Sequence, residues 1–193
     1  MPDAGARDTV HVSDIRRRKY QRLFDVLDVD GAGVLTEEGC VRIAGVFARA
    51  SGHSTHGRDP EELEGTIQEI WRAYVRDGRP GHGARLTRED VPQEIAYDLA
   101  HNPDKVIRLI GSLSNVIFGM ADADHDGRVR KEDAIRLGHA ALTISHEEAT
   151  KAWQRLDPHG TGHLDYETCL KAVTEFIVSE DPNAPGNWIF GRY

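Results

Sequence analysis

Apolar side chains recur at three- and four-residue intervals along most of this chain, in stretches separated by polar, glycine-bearing gaps. Ile15, Leu23, Phe24 and Leu27 share one helical face, and Val41, Ile43, Ala44, Val46 and Phe47 share the next. Leu63, Ile67, Ile70, Trp71 and Tyr74 form a third stripe, and Val91, Ile95 and Leu99 a fourth. Val106, Ile107, Ile110, Leu113, Ile117 and Phe118 then run through a long helix, followed by Ile135, Leu137 and Ala141. Trp153 and Leu156, then Leu170, Val173, Phe176 and Ile177, complete the pattern. Helix starts are marked as strongly. Ser13 stands where a cap belongs, Asp59-Pro60-Glu61-Glu62 and Asn102-Pro103-Asp104 open helices with a cap and a first-turn proline, and Ser145 with Glu148 makes a capping box. Ser51 to Asp59 reads as a linker.

The gaps between helices are themselves related. In residues 122–133, Asp122, Asp124 and Asp126 take the first, third and fifth places, Gly127 the sixth and Asp133 the twelfth. A hard divalent cation needs six or more oxygens, and a loop turning around it presents alternate side chains inward. Glycine at the sixth place allows the bend that turns the Arg128 carbonyl to the ion. Val129 at the eighth place predicts a short β contact with a partner loop. Residues 28–39 repeat the frame with Asp28, Asp30, Gly33 and Leu35, and residues 157–168 repeat it with Asp157, Thr161, Gly162 and Leu164. A faint copy spans residues 79–90, where Arg79, Gly81 and Gly83 replace the leading acids. It should hold no metal and act through Leu86, paired with Leu35.

All four copies share one departure. Gly39, Asp90, Asp133 and Thr168 stand at the twelfth place, while Glu38, Glu89, Glu132 and Glu167 lie one place earlier. One place turns a side chain about 100° around the exiting helix, away from the ion. The best ligand set is therefore Asp122, Asp124, Asp126, the Arg128 carbonyl and Asp133, with Arg130 at the ninth place unable to coordinate. The shorter Asp133 makes six-fold coordination natural, which moves selectivity toward Mg²⁺ relative to a usual Ca²⁺ loop. Asp28, Asp30, the Val34 carbonyl and Thr36 make a weaker set, as do Asp157, Thr161, the His163 carbonyl and Asp165.

With four such units and a Pro/Asn/Gly-rich aromatic tail, the chain resembles the EF-hand family, specifically calerythrin-like and sarcoplasmic calcium-binding proteins. That resemblance implies a compact all-α fold of four helix–loop–helix units in two pairs, and a calcium buffer or signal modulator. The register places one pair at residues 14–100 and the other at 103–178, with residues 179–193 as a tail. Trp188, Ile189, Phe190 and Tyr193 would be a liability in water, so the tail is expected to fold back on the core.

Composition narrows the alternatives. The 193 residues suffice for a good core, and 39% hydrophobic with 29% charged residues suits a soluble globule. A net charge of −8 argues against nucleic acid as partner. The absence of an 18-residue apolar run, a secretory start or a myristoylation glycine reads as a cytoplasmic, non-membrane chain, expected to be monomeric. Arg16-Arg17-Arg18-Lys19 is spread around a helix and is expected to be a solvated surface. Cys40 and Cys169, each just after a twelfth place, read as small buried hydrophobes. Ten histidines are scattered, and His146-Glu147 lacks the second histidine of a zinc motif, so no residue set argues for an enzyme. The rival readings are a sensor that opens a groove for a protein target, or a scaffold with weak or Mg²⁺-preferring loops. Only Met1 and Met120 are methionines, which is poor material for a flexible groove.

Overall fold

The computed structural model describes residues 10–50, 60–76, 85–141 and 144–193. Eight α-helices appear among these: α1 (Asp14–Leu27), α2 (Glu37–Ala50), α3 (Pro60–Trp71), α4 (Asp90–His101), α5 (Pro103–Ala121), α6 (Lys131–Ala141), α7 (His146–Leu156) and α8 (Tyr166–Val178). Four short strands stand between them: β1 (Val34–Thr36), β2 (Arg85–Thr87), β3 (Val129–Arg130) and β4 (His163–Leu164). They pair antiparallel, with Leu35 opposite Leu86 and Val129 opposite Leu164. The eighth place of each loop therefore meets the eighth place of another, as the spacing predicts. All four side chains are buried, so the pairing also joins the helices' core.

The apolar stripes converge on one core containing Phe24 of α1, Ile43 of α2, Trp71 of α3, Val91 of α4, Ile110 of α5, Leu137 of α6, Trp153 of α7 and Phe176 of α8. Helix α5 packs on α8, α2 on both α3 and α6, and α1 on α4 and α8. Three helices stop in the same way. The N–H of the first loop residue donates to the carbonyl of the aromatic residue four places earlier, Asp28 to Phe24, Asp122 to Phe118 and Asp157 to Trp153, each at 2.8 Å. The aromatic ring anchors the helix in the core while its carbonyl closes the last turn, and this fixes where the leading carboxylate starts.

Helix starts follow the sequence only in part. Ser145 and Glu148 form the reciprocal capping box. Ser13 has the extended backbone of a cap, but its hydroxyl is buried and makes no capping bond. Asn102 donates its side-chain amide to Asp98 Oδ1 at 3.0 Å instead of capping α5, which begins on Pro103. The cap assigned to Asp59 and the linker at 51–59 lie outside the described residues. After Trp71 the regular helix gives way to a π turn, Arg72–Arg76.

The basic run is where expectation and structure part. Arg17 and Arg18 are exposed, but Lys19 is fully buried. Its ammonium donates to the Glu175 carbonyl at 3.1 Å, the Ser179 carbonyl at 2.8 Å and Asn187 Oδ1 at 3.0 Å. Arg16 reaches the Val178 carbonyl at 2.6 Å and Glu180 at 3.0 Å. Both cations satisfy carbonyls at the end of α8, where the helix dipole is negative. Desolvation, reinforced by Arg16, lowers the Lys19 pKa to about 8, against the opposing pull of Glu175 and Glu180.

The tail docks on this arrangement. A 3₁₀ turn at Pro185–Trp188 lies against α8 and α7. Asn187, fully buried, accepts from Lys19 and donates to the Asp181 carbonyl at 2.8 Å. Phe190 meets Phe176 edge-on with ring centres 4.7 Å apart, and the Arg155 guanidinium sits 4.0 Å over the Trp188 ring. Arg22 donates to the Phe190 carbonyl at 2.8 Å. Gly186 is required by close approach: a Cβ there would lie 2.3 Å from the Ala172 carbonyl oxygen. Cys40 and Cys169 are free and buried, and burial pushes both thiols up to about 12.

Two apolar cavities remain in the core. One, of about 190 Å³, lies among α1 to α5 with Phe190 in its wall, and a second, of about 90 Å³, lies among α5 to α8 with Ile189 in its wall. No helix among the described residues is long and apolar enough to cross a membrane.

Candidate metal centre

Residues 122–133 bring Asp122, Asp124 and Asp126 together, each offering an oxygen within 4.8 Å of the others. Asp122 ends α5 and is buried, whereas Asp124 and Asp126 are exposed. Two residues adopt positive φ to make the turn, His125 at 56° and Gly127 at 81°. A Cβ on Gly127 would meet nothing within 4 Å, so glycine stands there for its backbone freedom. The Gly127 N–H donates to Asp122 Oδ2 at 3.1 Å, while Asp122 Oδ1 is buried with no partner. Asp133 lies in the first turn of α6, where its Oδ1 accepts from Arg136 at 2.6 Å.

The loop at 28–39 differs at its leading residue. Asp28 Oδ1 accepts from the Ala32 amide at 2.9 Å, and its Oδ2 from the Gly33 amide at 3.0 Å. Asp30 pairs with Arg42 of α2, whose hydrogen bond holds the Asp30 carboxyl below its usual range. The Thr36 hydroxyl accepts the Gly39 N–H at 3.0 Å. The loop at 157–168 is likewise closed on itself. Asp157 Oδ1 accepts from the Thr161 amide at 2.8 Å, and Oδ2 from Gly162 at 2.9 Å. Desolvation pushes the Asp157 carboxyl up, but these amides and the Thr161 hydroxyl bring it below the ordinary value. Thr161 also donates to the His163 carbonyl at 2.8 Å, engaging two members of the expected ligand set with each other.

The ninth place explains a contact that the sequence did not reveal. In three loops its side-chain oxygen caps the exiting helix: Thr36 takes the Gly39 N–H, Thr87 takes the Asp90 N–H at 3.3 Å, and Asp165 takes the Thr168 N–H at 2.8 Å. The third loop has Arg130 there, which has no acceptor to offer. Its guanidinium instead bridges Asp124 and Asp126, the latter at 2.6 Å. Arg130's hydrogen bond holds the Asp124 carboxyl low, and the guanidinium is raised in return. The available signal was a basic residue four and six places after two exposed acids.

The shifted glutamates lie where the helical rotation puts them. Glu38, Glu89, Glu132 and Glu167 are all exposed, while Gly39, Asp90, Asp133 and Thr168 are half-buried. In the fourth copy, Asp90 Oδ2 accepts from the Thr87 amide and hydroxyl at 2.8 and 2.7 Å, closing a cap for α4. Arg79, Gly81 and Gly83 lie outside the described residues.

No family model matches the chain. It is 24% identical over 161 residues to calerythrin of Saccharopolyspora erythraea, covering 82% of this chain and 89% of that protein. Among solved structures, a sarcoplasmic calcium-binding protein from amphioxus superposes with a TM-score of 0.70 at 14% identity, covering 95% of this chain and all of that one. A Streptomyces coelicolor calcium-binding protein, described with prokaryotic calcium-mediated regulation, superposes with a TM-score of 0.66 at 20% identity over 85% and 98% of the two chains. Paired loops, a helical core and these likenesses agree: the chain has an EF-hand fold of paired helix–loop–helix units and resembles calerythrin and the sarcoplasmic calcium-binding proteins.

Proposed function

We propose that this protein binds calcium through residues 122–133 and serves as an intracellular calcium buffer or signal modulator. One observation supports this assignment above the others. Asp122 keeps one buried carboxylate oxygen unpartnered, whereas Asp28 and Asp157 each spend both oxygens on loop amides. A buried, unsatisfied anionic oxygen is unfavourable, and a cation held with Asp124 and Asp126 removes the penalty. The ligands are Asp122, Asp124, Asp126, the Arg128 carbonyl and Asp133, with water at the ninth place. The loops led by Asp28 and Asp157 are weaker sites. A short twelfth ligand leaves Mg²⁺ as a competitor. The docked tail favours the buffer over a groove-opening sensor, because Phe190 and Asn187 already occupy apolar and polar positions against α8 and α1.

Calorimetric titration of metal-stripped protein with Ca²⁺, then Mg²⁺, tests the reading. Asp122→Asn should abolish the tightest event, and Asp28→Asn and Asp157→Asn should leave it intact. Loss of the tightest event in either of the latter variants, with Asp122→Asn unaffected, would sink the assignment.

A further inference from the structure

A base stands three places past the twelfth residue of each loop that keeps a leading carboxylate: Arg42, Arg136 and Lys171. The loop at 79–90, which opens on Arg79, has Gln93 there. Three places are about one helical turn, and helical side chains lean toward the helix start, so this residue can reach back to the loop. Arg42 pairs with Asp30, the third place of its loop, and Arg136 Nη2 lies 2.6 Å from Asp133 Oδ1, the twelfth place of its own. Lys171 follows a loop whose twelfth residue is Thr168, and its ammonium lies 4.0 Å from Glu175 further along α8. The base turns back where the loop offers it a carboxylate.

Arg136 and Arg130 stand differently toward the ion. Arg130 bridges Asp124 and Asp126, so any divalent cation must displace it. Arg136 takes one oxygen of a carboxylate whose other oxygen is left for the ion, so it can stay in place, as hydrogen-bonded partners of metal-bound carboxylates do. Its pair is also better shielded from solvent: the Asp133 side chain is 15% exposed, against 50% for Asp124. The consequence is the number of oxygens. A short twelfth side chain makes one oxygen natural, and Arg136 makes it obligatory. Mg²⁺ requires six oxygens in an octahedron, whereas Ca²⁺ takes up to eight and gains from a two-oxygen twelfth ligand.

We propose that Arg136 sets the ion selectivity of residues 122–133, holding Asp133 to a single metal-facing oxygen and so moving the loop from Ca²⁺ toward Mg²⁺. This rests on the reading of that loop as the metal site.

The test is calorimetry on the metal-stripped full chain, with CaCl₂ and with MgCl₂, comparing Arg136→Met and Arg130→Met. Both side chains are close to half exposed, so neither variant removes core. Each removes one positive charge beside the loop and should strengthen both ions, by about threefold to tenfold at low salt. Only Arg136→Met also releases Asp133 Oδ1, so it alone should raise the ratio of Ca²⁺ to Mg²⁺ affinity, by about fivefold or more, while Arg130→Met leaves that ratio within about twofold of wild type. The carboxylate stretch of the Ca²⁺ form in infrared spectra should acquire a bidentate component in Arg136→Met only. Asp122→Asn identifies which binding event belongs to the loop. An unchanged ratio in Arg136→Met, beside an Asp122-dependent event in the wild type, overturns the proposal and leaves the metal assignment standing. An equal rise of the ratio in both variants overturns it too, because charge alone would then account for the effect. If no event depends on Asp122, the metal assignment fails and the selectivity goes with it.

Discussion

Replacing Gly186 with alanine tests how firmly the tail belongs to the fold. A Cβ at that position would sit 2.3 Å from the Ala172 carbonyl oxygen, 2.8 Å from Ala172 Cα and 2.8 Å from Glu175 Cβ. Two of those atoms are helix backbone, so α8 cannot yield locally and the 3₁₀ turn must move outward by about an ångström. Overpacking of this kind costs about 1–3 kcal/mol when the structure absorbs it. If the tail instead lifts away, that strain is relieved but Phe190 loses its burial, at about 1.5–3 kcal/mol, and Lys19 loses its Asn187 partner. Gly186→Ala should therefore destabilise the chain by about 1–3 kcal/mol, or roughly 2–12 °C in Tm for a chain of this length. Urea unfolding followed by circular dichroism measures the loss, and tryptophan emission reports whether Trp188 leaves the Arg155 guanidinium. Gly111→Ala is the control, since its Cβ meets nothing within 4 Å in the middle of α5, and it should stabilise by about 0.5–1 kcal/mol. A Gly186→Ala protein as stable as the wild type would refute the close packing of tail on helix.

Three further outcomes follow from particular residues. Unfolded Lys19 keeps its proton to its ordinary pKa of 10.5, while the folded group releases it near 8, so raising the pH through this window favours the folded state. The stability difference between wild type and Lys19→Met should grow from pH 8 to 10, with the opposing thiol titrations of Cys40 and Cys169 cancelling; a flat difference in denaturant titrations counts against the buried ammonium. Arg130→Gln removes a cation from Asp124 and Asp126 and should tighten Ca²⁺ binding about threefold to tenfold at low salt, less at high salt. Unchanged or weaker binding in calorimetry would contradict the competition. Ser145→Ala breaks the α7 capping box and should lower stability by about 1 kcal/mol in urea unfolding, with an unchanged midpoint counting against it.

The sequence by itself determined what depends on local spacing. The twelve-residue frames indicated that Asp122, Asp124 and Asp126 converge and which eighth-place residues pair, because a loop between two helices has few ways to turn. The aromatic residues four places before Asp28, Asp122 and Asp157 were legible as core for the same reason: helical periodicity is read within a turn or two. The tail's return was foreseeable from four large apolar side chains after a helix stop, but its seat was not. Only tertiary structure decided the fate of Lys19, whose acceptors lie 156 to 168 residues away in the chain. Distance in sequence carries no pattern, so a buried ammonium reads as one more surface charge. The same holds for the unpartnered oxygen of Asp122 and for the larger apolar space among α1 to α5. Both depend on where several helices leave atoms without neighbours, and that is settled by packing in three dimensions.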